Sequence, residues 1–229
     1  MLNKILSGIV LAAVLAVTAA PVPAQAADEE ATWEGLQKVK SKRMDKAYLL
    51  PGADFREYGR VMLDEVQVEF RKNWERDINR SRSPGSRVTP EDADAIRKMM
   101  AEGLRESLTK GFAKAGYELV TSPAPDVLRL TPVLMDVYVS APDTMQAGRS
   151  YTFTVEAGEA TLALEVRDSG TGQLLGRAID KRGTGETGQL TWTTKAYNRA
   201  EFERLFDSWS TTLTKGLEAL KEASPIQAK

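Results

Sequence analysis

Two stretches of the chain set apolar residues at helical spacing. Ile96, Met100, Leu104, Leu108 and Phe112 recur every four residues, and Met99 and Ala115 widen that face. The local signals at its start agree. Thr89 is suited to the N-cap, Pro90 to the first helical position, and Glu91 and Asp92 put negative charge at the positive end of the helix dipole. Gly116 can take the left-handed conformation that ends such a helix. Farther on, Phe202, Leu205, Phe206, Trp209, Leu213, Leu217 and Leu220 form a broader stripe. Asn198 and Glu201 predict a capping box at its start, and Ser224-Pro225 closes it.

Between and before these helices the pattern is that of strands. Ala47 to Leu50 is a short strand ending in the Pro51-Gly52 turn. Val61 to Phe70 alternates but changes phase, which predicts a bulge or break near Asp64-Glu65. Residues 71 to 88 read as a polar loop dense in Arg. Tyr117 to Val120 reads as a short strand. Within Asp126 to Ser140, Val133, Met135, Val137 and Val139 alternate, and Pro132 predicts an edge or a bulge. Tyr151 to Val155 and Ala160 to Arg167 are further strands, and Asp168 to Gly172 turns the chain into Gln173 to Asp180 as a hairpin. Residues 27 to 46 are mostly polar; Trp33, Leu36 and Val39 there suit a short helix or a strap across the domain. The expected fold class is α+β, a mixed, mostly antiparallel sheet with two main helices packed on one face.

One apolar stretch does not belong to this core. Ile5 to Ala20 carries no charge, follows Lys4 and precedes Pro21, Pro23 and the small-x-small sequence Ala24-Gln25-Ala26. That is the pattern of a cleavable signal peptide over residues 1–26. Its uncharged run falls short of the roughly 20 residues that span a bilayer. Cleavage before Ala27 predicts a periplasmic or secreted protein, with residues 27–229 as a single α+β domain and no membrane span in the mature chain.

Several segments in this order resemble a bacterial family of exported proteins known as domain of unknown function 3313. They include Val39-Lys40-Ser41-Lys42-Arg43, Leu50-Pro51-Gly52-Ala53-Asp54-Phe55, Val61-Met62-Leu63-Asp64, Asp126-Val127-Leu128-Arg129-Leu130, Ala141-Pro142-Asp143-Thr144 and Leu164-Glu165-Val166-Arg167-Asp168-Ser169. The resemblance implies an exported protein and brings no catalytic residues with it. Many members look like lipoproteins acylated on a Cys, and this chain has no Cys to carry a lipid.

Composition then removes most chemistry. The chain has neither His nor Cys, so disulfides, thiolate nucleophiles, Ser-His triads and the usual zinc ligands are all unavailable. A formal net charge of −1 argues against nucleic acid as a partner. No metal or cofactor is expected. Gly183-Thr184-Gly185-Glu186-Thr187-Gly188 fits the dinucleotide pattern G-x-G-x-x-G. However, Gln189 to Thr194 after it does not read as the helix that must receive the phosphates. Ser107-Leu108-Thr109-Lys110 fits S-x-x-K, but no S-D-N or K-T-G partner occurs. No pair of carboxylates stands out as a glycosidase pair.

Two candidate surfaces remain. Arg71, Lys72, Trp74, Arg76, Arg80 and Arg82 concentrate cations and one Trp in a short stretch, residue types favoured at interface hot spots. Asp143, Thr144 and Arg149 lie in the 141–150 loop, between two strand regions. The leading expectation is a non-catalytic envelope protein that binds a macromolecular partner. The alternatives are a carboxylate- or Lys-based enzyme acting on envelope polymers, which would show a pocket of converging titratable groups, and a small-molecule carrier. The carrier would show an apolar cavity of about 300 Å³ or more.

Overall fold

A computed structural model describes residues 32–33, 35–140, 152–154, 158–184, 191–193 and 195–228. Nine strands make one mixed sheet: β1 (Thr32–Trp33), β2 (Leu36–Val39), β3 (Lys46–Leu49), β4 (Arg60–Leu63), β5 (Gln67–Phe70), β6 (Glu118–Val120), β7 (Val127–Val139), β9 (Gly158–Asp168) and β10 (Leu174–Thr184). The spatial order is β1-β2-β3-β10-β9-β7-β4-β6, with β5 also beside β7. The pairs from β1 to β7 are antiparallel, while β4 and β5 run parallel to β7, and β6 parallel to β4. β8 (Thr152–Thr154) and β11 (Thr191–Thr193) form a separate two-stranded ribbon. The helices are α1 (Trp74–Asn79), α2 (Pro90–Lys114) and α3 (Lys195–Ala223). The expected α+β class is the one observed.

The core lies between the sheet and the two long helices. Met100, Leu104, Leu108 and Phe112 of α2 and Phe202, Phe206 and Trp209 of α3 are buried in one cluster with Leu128, Leu130, Leu134, Leu162 and Leu164 of the sheet. α2 starts as its sequence predicts. Thr89 accepts from the Asp92 N–H, and Asp92 returns a bond to the Thr89 N–H, a capping box with Pro90 at the first position. Gly116 then takes φ of 89°. The helices meet closely where α2 carries glycine: a Cβ at Gly103 would press on Phe206, and one at Gly111 would overlap the Ser210 hydroxyl.

Four expectations differ from what is found. Residues 32–39 form the hairpin β1–β2, because Gly35 at φ of 83° turns the chain back on itself. The 71–88 segment contains α1 and a short 3-10 turn at Pro84–Ser86. Pro132 is neither at an edge nor at the bulge. It stands inside β7 where the parallel neighbour changes from β4 to β5, so its missing N–H faces a gap in that ladder. The bulge comes at Asp136, with φ of 50° and a register shift between Met135 and Tyr138. It flips the alternation, so that Leu134 and then Val137 and Val139 turn inward, rather than Val133 and Met135. Lastly, α3 begins at Lys195, which puts Asn198 inside the helix and leaves Glu201 paired with Arg204.

Candidate functional site

The lower half of α3 and the sheet beneath it both present small residues where they face each other. Ala47 of β3 and Gly176 and Ala178 of β10 lie opposite Gly216, Ala219 and Ala223 of α3. Two surfaces with so little side-chain volume leave a cavity of about 610 Å³. Its walls are aliphatic: Leu128, Leu130, Leu164 and Val166 from the sheet, Leu213 and Leu217 from α3. Phe55 and Phe112, both fully buried, back it. Leu49, Val166, Ala178, Leu213 and Leu220 remain only half-buried although they point into the layer between sheet and helix. Core layers elsewhere in proteins are close-packed, with few voids larger than a water molecule, and the layer between sheet and α3 departs from that where it opens at this end.

One end of the pocket is held by the chain after α3. The Gly52 N–H donates to the Ile226 carbonyl at 2.7 Å and the Ile226 N–H to the Ala53 carbonyl at 2.9 Å. The Phe55 N–H donates to Ser224 Oγ at 2.8 Å. Ile226 and Gln227 thereby become part of the wall.

The rim is the exposed segment Lys40 to Arg43. Ser41 Oγ accepts from the N–H groups of Arg43 and Met44, at 3.1 and 3.0 Å, and so folds the segment into a turn. Asp45 ties the turn down: its carboxylate accepts from the Lys181 N–H at 2.9 Å, and its own N–H donates to Asp180 Oδ1 at 3.2 Å. Among the described residues, the side chains of Lys40, Lys42 and Arg43 have no ion-pair partner. Asp180, which the turn reaches through the Asp45 N–H, is itself paired with Arg182 at 2.6 Å.

A second cleft, of about 380 Å³, runs between α2 and α3 and is charged. Glu106 meets Lys110 at 2.6 Å and Arg199 meets Glu203 at 2.8 Å. The Lys110 hydrogen bond holds the Glu106 carboxyl below its usual range, and Glu106 pushes the Lys110 ammonium up. Both groups are thus fixed more firmly in their charged forms, the opposite of what a proton-transfer group at neutral pH requires. Ser107 donates to Asp207 Oδ1 at 2.5 Å while Lys110 pairs with Glu106, so the S-x-x-K residues are engaged separately.

The Arg-rich candidate surface is arranged around α1. Trp74 is turned inward: its ring stacks on Phe70 at 4.1 Å, its indole N–H donates to the Val139 carbonyl at 3.1 Å, and it is 3% exposed. Arg71 pairs with Glu159 and lies 4.9 Å from the Tyr138 ring centre. Arg76 and Arg80 share Asp77. Arg82 donates to the Ser86 carbonyl at 3.0 Å, and Lys72 is exposed. The 141–150 loop with Asp143, Thr144 and Arg149 lies outside the described residues, as do residues 1–26, expected to be a leader, and residues 185–188 of the glycine motif. Gly183 and Thr184 of that motif are the last residues of β10.

Among the described residues, no group of three carboxylates is placed to hold a metal ion, and no helix is long and apolar enough to cross a membrane. The pocket itself went unread in the sequence. Its signal was the set of small residues Gly216, Ala219 and Ala223 interleaved with the leucines of α3, which makes part of that stripe a wall rather than a packed seam.

The family of proteins of unknown function DUF3313 matches residues 29–213. No curated protein matches the chain. Among solved structures, it is similar to a neuraminyllactose-binding hemagglutinin homologue from Helicobacter pylori, at 12% identity over 76% of this chain and 92% of that one, with a TM-score of 0.40. It is also similar to the PelC dodecamer from Paraburkholderia phytofirmans, at 12% identity over 73% and 96%, with a TM-score of 0.33. A minor lipoprotein from Acinetobacter baumannii aligns at 12% identity over 71% and 94%, with a TM-score of 0.27. These likenesses are too distant to carry function.

Proposed function

The chain belongs to the DUF3313 family of proteins of unknown function, and within that family we propose a non-catalytic exported protein that holds an apolar small molecule between its sheet and α3. The observation that carries this reading is the pocket of about 610 Å³ with aliphatic walls. It lies within the roughly 300 to 1,000 Å³ of small-molecule sites and has their predominantly apolar lining. Export rests on the leader pattern of residues 1–26, with cleavage before Ala27. The enzyme alternative finds less support in the charged cleft between α2 and α3, where Lys110 is tied to Glu106, Arg199 to Glu203, and Asp207 accepts from the Ser107 hydroxyl. Binding of a macromolecule at the Arg-rich segment loses its aromatic anchor, since Trp74 belongs to the core.

Gly216 supplies the test, because a Cβ there meets nothing within 4 Å. The mature protein should bind the neutral dye Nile red saturably, with the rise in fluorescence that follows exclusion of water. Gly216→Phe should fill the pocket and abolish that signal without lowering the melting temperature. Absence of saturable binding, or equal binding by the folded variant, would overturn the proposal.

A further inference from the structure

From the rim of this pocket we infer that the ligand is a single-chain lipid with an anionic head, its acyl chain in the cavity and its head at Lys40, Lys42 and Arg43. The inference rests on the pocket reading above and adds the ligand class. Three cations stand within four residues of one turn, all exposed, and none has an acidic partner among the described residues. Like charges so close repel one another, and the turn is nonetheless fixed by the Ser41 bonds and by Asp45. Asp180 is taken by Trp209 and Arg182, and Asp45, directed at the Lys181 N–H, is one carboxylate against three cations. An anion at the rim supplies a counter-charge that the described residues do not, and the Arg fork suits phosphate and carboxylate oxygens alike. Below the rim the cavity offers aliphatic side chains, which suit a hydrocarbon chain and leave a charged or strongly polar ligand body unsolvated. The basic mouth and apolar interior together match the two ends of one amphiphile.

Displacement of Nile red from the mature protein at low salt tests this. Dodecyl phosphate and laurate should displace the dye at concentrations at least tenfold lower than dodecanol, which has the same chain without the charge. Inorganic phosphate alone should not displace it. Raising the salt should shrink the preference. Within a variant carrying Lys40→Gln, Lys42→Gln and Arg43→Gln, the ratio of dodecanol to laurate potency should fall towards one, and the Lys40→Glu, Lys42→Glu and Arg43→Glu set should invert it; a ratio unchanged from the parent in both sets would overturn the assignment of the head to these cations. Equal potency of laurate, dodecyl phosphate and dodecanol on a protein that binds Nile red would overturn the anionic head while leaving the pocket intact. A protein that binds no Nile red at all would overturn the pocket reading itself. A concentration-dependent dimer that excludes the dye would assign the cavity to a second copy of the chain and overturn both.

Discussion

The indole of Trp209 donates its N–H to the carboxylate of Asp180 at 2.8 Å, and both side chains are buried. The same carboxylate receives Arg182 Nε at 2.6 Å and the Asp45 N–H at 3.2 Å. A single acid thus joins α3, β10 and the turn that rims the pocket. Burying a carboxylate is costly unless it is paired and hydrogen-bonded, and here three donors meet that need.

Trp209→Ala should therefore cost about 3 to 5 kcal/mol, a large part of the roughly 5 to 15 that holds a domain together. Trp209→Phe keeps most of the ring and leaves Asp180 one donor short, for about 1 to 3 kcal/mol. Urea unfolding followed by circular dichroism measures both. A stop before Asn198 should leave the chain unfolded; if it stayed folded with an unchanged transition, α3 would be a detachable helix rather than core.

Two glycines in helices should respond with opposite signs to the same change. At Gly216 the space is open, and Ala gains up to about 1 kcal/mol of helix propensity. At Gly111 a methyl group would overlap Ser210, whose hydroxyl donates to the Ser107 carbonyl at 2.8 Å. Gly111→Ala must push α2 and α3 apart or break that bond, and the overpacking penalty of roughly 1 to 3 kcal/mol outweighs the propensity gain. Melting temperatures of the two variants decide it: up for Gly216→Ala, down for Gly111→Ala.

What the sequence disclosed divides along the same line between local and distant causes. The α2 boundaries were legible because Thr89, Pro90, Asp92 and Gly116 act on their own neighbours. So was the Asp168 to Gly172 turn, whose Gly172 takes φ of 75°. Asp136 was not, because a bulge depends on how β7 pairs with β9, and alternation alone predicted the wrong residues facing inward. The start of α3 was misplaced because Asn198 and Glu201 fit a capping box as a pattern while the helix continues back to Lys195. Trp74 read as an exposed anchor from its charged neighbours, though Phe70 four residues earlier stacks on it. The pocket was hidden most completely, since Ala47, Gly176 and Gly216 are meaningful only once three remote segments have met.

Acid should destabilise the fold partly through Asp168. Burial raises its carboxyl, but Thr171, through its N–H at 2.6 Å and its hydroxyl at 2.7 Å, and Tyr58 at 2.9 Å outweigh this and hold it below the ordinary 3.8. A carboxyl whose value is lowered by folding stabilises the native state above the unfolded value of about 4, and that contribution is lost as pH falls through the folded value. Asp168→Asn should lower the melting temperature at pH 7, and the gap to the parent protein should close as the pH drops below about 4. A gap that is constant down to strongly acid pH would show that the charge on Asp168 does not matter.

Export predicts a defined new terminus. Intact-mass measurement of protein recovered from the periplasm or medium should give a chain beginning at Ala27. Recovery of a chain beginning at Met1 would contradict the leader assignment.

The bonds from Gly52, Ala53 and Phe55 to Ser224 and Ile226 have a bearing on timing. Each closes a loop of about 170 residues, as the separation of 169 between Phe55 and Ser224 illustrates. Loop closure on that scale is disfavoured until other long-range contacts have been made. The β9–β10 hairpin and α2 can form from nearby residues, whereas the wall at Ile226 must wait for nearly the whole chain. A protein that crosses a membrane as an extended thread would therefore arrive with its cavity unfinished. If this chain is exported in that way, its cavity would close only after the residues around Ile226 emerge, and a ligand could enter only then.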